Sequence, residues 1–223
     1  EGASVGYDPW LHTPDGLASL RDGVDAALVP VPDNPLDAVW PDQPAPPLAP
    51  VVPHDLAFAG EASADKRGRV AEKLGESRVD ALVLTLPAAI AWLLNVRGAD
   101  IAHTPVPLSF AIVRRDASVD WFLDARKLTP AARAALDADV RVQPAGELLS
   151  ALDALGEAGA RVWLDPGTAP AHVADRLTEG GAMLHRKADP VQAMKARKNA
   201  AELAGARAAN LRDGAAVTRF LAW

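Results

Sequence analysis

The chain has 223 residues, a formal net charge of −6, 49% hydrophobic and 23% charged residues, and no cysteine. This composition fits a folded domain with a buried core; it argues against disorder, against nucleic acid as the main partner, and against disulfides or thiolate metal sites. No run approaches the roughly 18 apolar residues that cross a bilayer, so no membrane partner is expected and a cytoplasmic location is the default.

Ser4–Pro9 reads as the end of a strand, and His12–Asp22 as a helix capped by Thr13 with Pro14 in its first turn. Ala26–Val31 is a short apolar run. Six prolines between Pro41 and Pro53 make a semi-rigid extended connector, a reading preferred to a signalling-type proline ligand. From Ser63 the pattern alternates between helix and strand. Ser63 is placed to cap a helix carrying Val70 and Leu74 and ending near Gly75. Val79–Thr85 is a β-rich run, and Pro87 opens a helix through Ile90, Trp92 and Leu93. Leu108–Arg114 and Val119–Leu123 form a hairpin turning at Asp116–Ser118.

Thr129–Pro130 starts another helix, Val140–Val142 is a strand, Glu147–Leu155 a helix, and Arg161–Leu164 a strand. GEAGA at 156–160 is a helix stop. Pro170–Thr178 is helical and Met183–His185 is a last short strand. The fold class is α/β: a mixed sheet of about five or six strands flanked by helices. The cations Arg186, Lys187, Lys195, Arg197 and Lys198 line a solvated connector. Asn199 and Glu202 have capping-box spacing, so a C-terminal helix should run through Leu203, Leu211, Val217, Phe220 and Leu221. Its apolar face needs a partner, and the chain opens on Glu1 rather than Met. Both features lead to the expectation of a piece of a larger protein.

The sequence shows no complete reaction centre. The histidines, His12, His54, His103, His172 and His185, form no pair at ligand spacing. There is no Gly-rich phosphate loop and no nucleophile elbow. The loop Asn95–His103 is the remaining candidate, with Arg97, Asp100 and His103 crowded between two apolar strands. Arg97 offers a planar fork for a carboxylate, His103 exchanges a proton near neutral pH, and Gly98 permits a tight path. The three are candidate substrate-binding residues. The competing reading pairs Arg97 with Asp100 and has His103 cap a strand.

Four blocks carry a resemblance: VGYDPWLHTPDGL, NPLDAVWPDQPAPP, DALVLTLPAAIAWLLNVRGADIAHTPVPLSFAIV and KARKNAAELAGARAANLRDGAAVTRFLAW. Together they resemble the three-domain Xaa-Pro aminopeptidases (aminopeptidase P). The resemblance implies that residues 1–61 end a first creatinase-like domain with its linker. Residues 62–188 would be a second creatinase-like amino-terminal domain, and 189–223 a linker and first helix of a pita-bread catalytic domain.

Such enzymes release the N-terminal residue from peptides with proline in second position. They use two divalent metal ions, usually manganese, held by two aspartates, a histidine and two glutamates. Those ligands lie beyond the last helix in the family, so none is assigned here and the chain alone is expected to be inactive. The loop matching Arg97–His103 faces the catalytic cleft in the family, often in an assembled oligomer; a homodimer is expected. Ala99 departs from the usual serine. The alternative is a non-catalytic peptide- or protein-binding module, since the same fold serves in histone-chaperone subunits. Prolidase or creatinase is disfavoured by the long region before Ser63.

Overall fold

The computed structural model describes residues 2–223. The chain begins with strands β1 (Ala3–Tyr7) and β2 (Ala26–Pro30), paired in parallel and joined through helix α1 (Pro14–Gly23). Thr13 caps α1 as expected, its hydroxyl accepting from the Gly16 amide at 3.1 Å. Helix α2 (Pro35–Val39) precedes the proline connector, and β3 (Val52–Pro53) and α3 (Leu56–Ala59) follow it. Next come α4 (Ser63–Ser77), β4 (Ala81–Leu84), α5 (Pro87–Leu93), β5 (Val96–Arg97) and the hairpin β6 (Phe110–Arg114) and β7 (Val119–Phe122). The remainder runs α6 (Pro130–Ala135), β8 (Val140–Gln143), α7 (Leu148–Glu157), β9 (Arg161–Leu164), α8 (Ala171–Glu179) and β10 (Met183–Arg186). Helices α9 (Pro190–Ala196) and α10 (Ala200–Ala222) close it.

Six strands form one mixed sheet in the order β10–β9–β4–β6–β7–β8. The β10/β9, β9/β4 and β7/β8 pairs are parallel, and β4/β6 and β6/β7 are antiparallel. Central β4 is apolar on both faces because helices cover both. Leu82 and Leu84 pack with Val70 and Leu74 of α4, Ile90 and Leu93 of α5, and Val191 of α9. Ala81 and Val83 pack on the other side with Leu152 and Leu155 of α7 and Val173 and Leu177 of α8. The side-chain period of two thus sorts one strand into two cores.

Three local expectations need correction. Ser63 starts α4 but does not cap it: Ala62 is the N-cap, and the Ser63 hydroxyl is buried with no hydrogen-bond partner. The helix also runs past Gly75 to Ser77, ending at Arg78 in the left-handed region. The semi-rigid proline connector is also pinned at its end, where the Val51 amide donates to the Lys127 carbonyl at 2.7 Å and Val51 is fully buried. The basic segment after β10 contains α9, whose Val191 enters the core.

Asp189 caps α9, its Oδ1 accepting from the Val191 amide at 2.8 Å, while Oδ2 is buried without a partner. Burial pushes its carboxyl up from 3.8 to about 6, the Asp165 carboxylate adds to this, and the cap bond opposes it. The native state therefore holds a proton that the unfolded chain has released, and stability falls as pH rises from about 4 to 6. Asp189→Asn keeps the capping oxygen and removes the buried charge. It should match the parent near pH 4 and exceed it by about 1–2 kcal/mol above pH 6, measured by urea denaturation. Gly156 of α7 supplies a second test, since a Cβ there would lie 2.7 Å from the Gly180 carbonyl carbon and oxygen. Alanine is the better helix former, yet Gly156→Ala should destabilise by about 1–3 kcal/mol, because rigid backbone cannot give way as a side chain can.

Candidate functional site

The loop after β5 does not gather its three charged residues into one place. Asp100 turns inward, and its side chain is fully buried against Lys127 at 2.7 Å. It also accepts from the Leu108 amide at 2.7 Å and the Ala49 amide at 3.2 Å. One carboxylate therefore ties together the proline connector, the far side of its own loop and the turn after β7. The expected alternative of an Arg97–Asp100 pair is not what forms. Arg97 is half-buried and donates to the Val96 carbonyl of its own strand at 2.9 Å. His103 is exposed in a left-handed turn (φ 60°), closed by the Thr104 amide on the Ile101 carbonyl, and caps no strand.

Arg97 instead shares its surroundings with groups distant in sequence. Burial lowers its affinity for its proton, and the Glu202 carboxylate opposes that effect. His54 is pulled below its ordinary value by burial, then by the Arg97 and Lys66 charges. The shift favours the uncharged imidazole, which stacks over Phe58 with ring centroids 6.0 Å apart.

Lys66 is the buried centre of this region. Its Nζ donates to the Trp92 carbonyl at 3.0 Å and to Asn95 Oδ1 at 2.7 Å, and lies 4.2 Å from the Trp92 ring centroid. Burial lowers its pKa from 10.5 to about 8, with Glu202 and Glu61 resisting the shift. Trp92 Nε1 in turn donates to Glu202 Oε1 at 3.0 Å. Beside this cluster a cavity of about 640 Å³ opens between α4 and α9, with Trp92, Arg69, Lys73, Met194 and Arg197 among its walls. Its size suits a small organic ligand.

Sequence reasoning missed Lys66, Trp92 and Glu202 as a unit. Glu202 was legible only as a capping residue, because one of its oxygens serves that local bond and the other reaches 110 positions back. Among the described residues, no three His, Cys, Asp or Glu side chains stand close enough to hold a metal ion. Nor is any of their helices long and apolar enough to cross a membrane.

The sequence model for the Creatinase/Prolidase N-terminal domain matches residues 42–202. The chain belongs to that family. Among similar curated proteins, a probable Xaa-Pro aminopeptidase P of Aspergillus niger is 36% identical over 234 residues, matching 100% of this chain and 38% of its own length. A counterpart in Coccidioides posadasii is 36% identical over 233 residues, again with 100% and 38% coverage. The crystal structure of X-prolyl aminopeptidase from Caenorhabditis elegans, described as a cytosolic enzyme with a di-nuclear active site, superposes with a TM-score of 0.88 at 33% identity. It is matched over 100% of this chain and 37% of its own. The chain thus spans somewhat over a third of the length of these relatives.

Within this creatinase/prolidase domain the Asp100–Lys127 pair is the clearest structural liability. Asp100→Ala leaves a buried ammonium and two amide donors without their acceptor. It should cost about 3–5 kcal/mol in urea or thermal unfolding. A loss below about 1 kcal/mol would mean that water reaches Lys127.

Proposed function

We propose that this chain is the amino-terminal part of a Xaa-Pro aminopeptidase that removes the first residue from peptides with proline in second position. The observation that carries this reading is the match of the entire chain, in sequence and in backbone, to the C. elegans X-prolyl aminopeptidase. In this reading residues 1–61 end a first domain and its linker, 62–188 form the second domain, and 189–223 lead into the catalytic domain. A homodimer in the cytoplasm is part of the same proposal.

Two divalent ions, with manganese the expected metal, would activate water and polarise the scissile carbonyl when bound. The described residues do not offer a donor set for them, so no step is assigned to metal within this chain. What the chain supplies is binding surface. Arg97 presents a partly desolvated guanidinium whose one hydrogen-bond acceptor is its own backbone, leaving donors for a peptide carboxylate or carbonyl. His103, exposed on the same loop, offers a second polar contact. Asp100 acts from beneath, holding the loop that carries both.

Two measurements test this. The 223-residue chain with manganese and an Xaa-Pro peptide should show no turnover above blank, whereas the whole protein should release the first residue. Turnover by the chain alone would refute the division of labour, and a whole protein that binds but does not cleave would be a peptide-binding module. In the whole protein, Arg97→Ala should lower kcat/KM by about 10- to 100-fold, or roughly 1–3 kcal/mol, with folding intact. An unchanged kcat/KM would return Arg97 to a packing role.

A further inference from the structure

Helix α10 has 23 residues, and from 210 onward every one is exposed. Its hold on the rest of the molecule is concentrated in its first turn. Asn199 Nδ2 donates to the Ala59 carbonyl at the end of α3, at 2.7 Å. Gly60, the next residue, adopts φ 68°, and a Cβ there would overlap the Asn199 carboxamide. Glu202 then uses its two oxygens differently. Oε2 accepts from the Asn199 amide at 2.9 Å, completing the capping box, and Oε1 accepts from Trp92 Nε1 at 3.0 Å. Helix formation needs only the first bond. The second is tertiary and fixes direction.

The anchor at the other end is rigid. Trp92 is only 6% exposed and lies beneath Lys66, which bonds to its carbonyl and to Asn95. Asn95 Nδ2 donates to the Glu61 carbonyl at 2.8 Å, so the end of α5 is also tied to the segment before α4. At 1.5 Å per residue, α10 is about 34 Å long, so a 10° change at its first turn moves its far end by about 6 Å.

We propose that the Trp92–Glu202 bond is the joint that sets the direction of α10 relative to α5 and to β5, the strand that carries Arg97. Trp92 lies on α5 and Arg97 on β5, which follows it, with Asn95 between them bonded to Lys66 and to the Glu61 carbonyl. The angular restraint stands independently of the aminopeptidase reading. Its catalytic consequence rests on that reading, because the joint then fixes Arg97 relative to the domain that follows α10.

The chain has no cysteine, so two introduced ones carry spin labels uniquely: Ser150→Cys on α7 and Ala216→Cys on α10. Double electron–electron resonance should give one narrow distance distribution. Trp92→Phe removes the indole N–H and keeps a ring beneath Lys66; Glu202→Gln keeps an oxygen for the capping box. Each should at least double the width of the distribution with far-UV circular dichroism unchanged, while Arg212→Ala on the exposed part of α10 leaves it narrow. Unchanged widths in Trp92→Phe and Glu202→Gln overturn the joint, and Glu202→Gln suffices should the tryptophan variant not fold.

In the whole enzyme, Glu202→Gln should lower kcat/KM at least fivefold, and should lower it no further in the Arg97→Ala background. Additive losses overturn positioning through Arg97. A parent enzyme inert on Xaa-Pro peptides overturns the aminopeptidase reading and, with it, the catalytic half of this proposal; the spin-label widths decide the joint alone.

Discussion

Lys66 is a cation with almost no access to water, and the candidate site is built around it. An ammonium taken from solvent is costly unless its donors are satisfied. Here two protons meet the Trp92 carbonyl and Asn95 Oδ1, and the charge lies over the Trp92 ring. Those partners stand on α5 and on the turn after it, so the lysine of α4 sets where both lie. Because Trp92 also holds Glu202, a single buried charge connects the outer layer of one core to the first turn of α10. Burial dominates the lowered proton affinity of Lys66, and the Glu202 and Glu61 carboxylates oppose it.

The same device recurs elsewhere at lower cost. Arg67, buried one position along α4, donates to the Ala117 carbonyl at 2.6 Å and pairs with Asp137 at 2.7 Å, gripping the turn of the β6–β7 hairpin. Asp100 grips three segments through Lys127 and two amides. Each joins elements that the hydrophobic cores leave at the rim, where apolar area is too small to fix a loop. By contrast, Asp189 is buried with an unpartnered oxygen, and burial raises its affinity for a proton although the Lys195 charge opposes the rise. Burial alone does not decide whether a carboxylate helps; the partner does.

These long-range grips mark the limit of what the sequence discloses. The apolar β-rich runs at Val79–Thr85 and Arg161–Leu164, and the caps at Thr13, Thr129 and Asn199, are local signals, and the main strands and helices and their order followed from them. Ser63 shows how a local signal fails: a serine next to a helix start caps it only if the backbone turns one residue later, and here Ala62 takes that position. Arg97 and Asp100 sit close enough in sequence to suggest a pair. Yet Lys127, 27 positions away, competes for Asp100 from a buried site and wins, because desolvation strengthens that pair more than an exposed one. No pattern within the loop could carry that information.

Charge separation follows from the same arrangement. A chain of net charge −6 nonetheless places Arg69, Lys73 and Arg197 on the walls of the cavity between α4 and α9, with buried Lys66 over the Trp92 ring that also lines it. The carboxylates nearest them are already engaged: Glu61 with Arg69 at 2.7 Å, and Glu202 with the Trp92 indole and its own helix cap. Lys73 is likewise paired with Glu76 at 2.6 Å, so an anionic group arriving here competes with these carboxylates for Arg69 and Lys73. In the proposed peptidase, such a surface would help to hold a short peptide only if the catalytic groups lay at a fixed distance from it. Direction and charge therefore have to be set together, and the shared carboxylate of Glu202 is where this chain sets both.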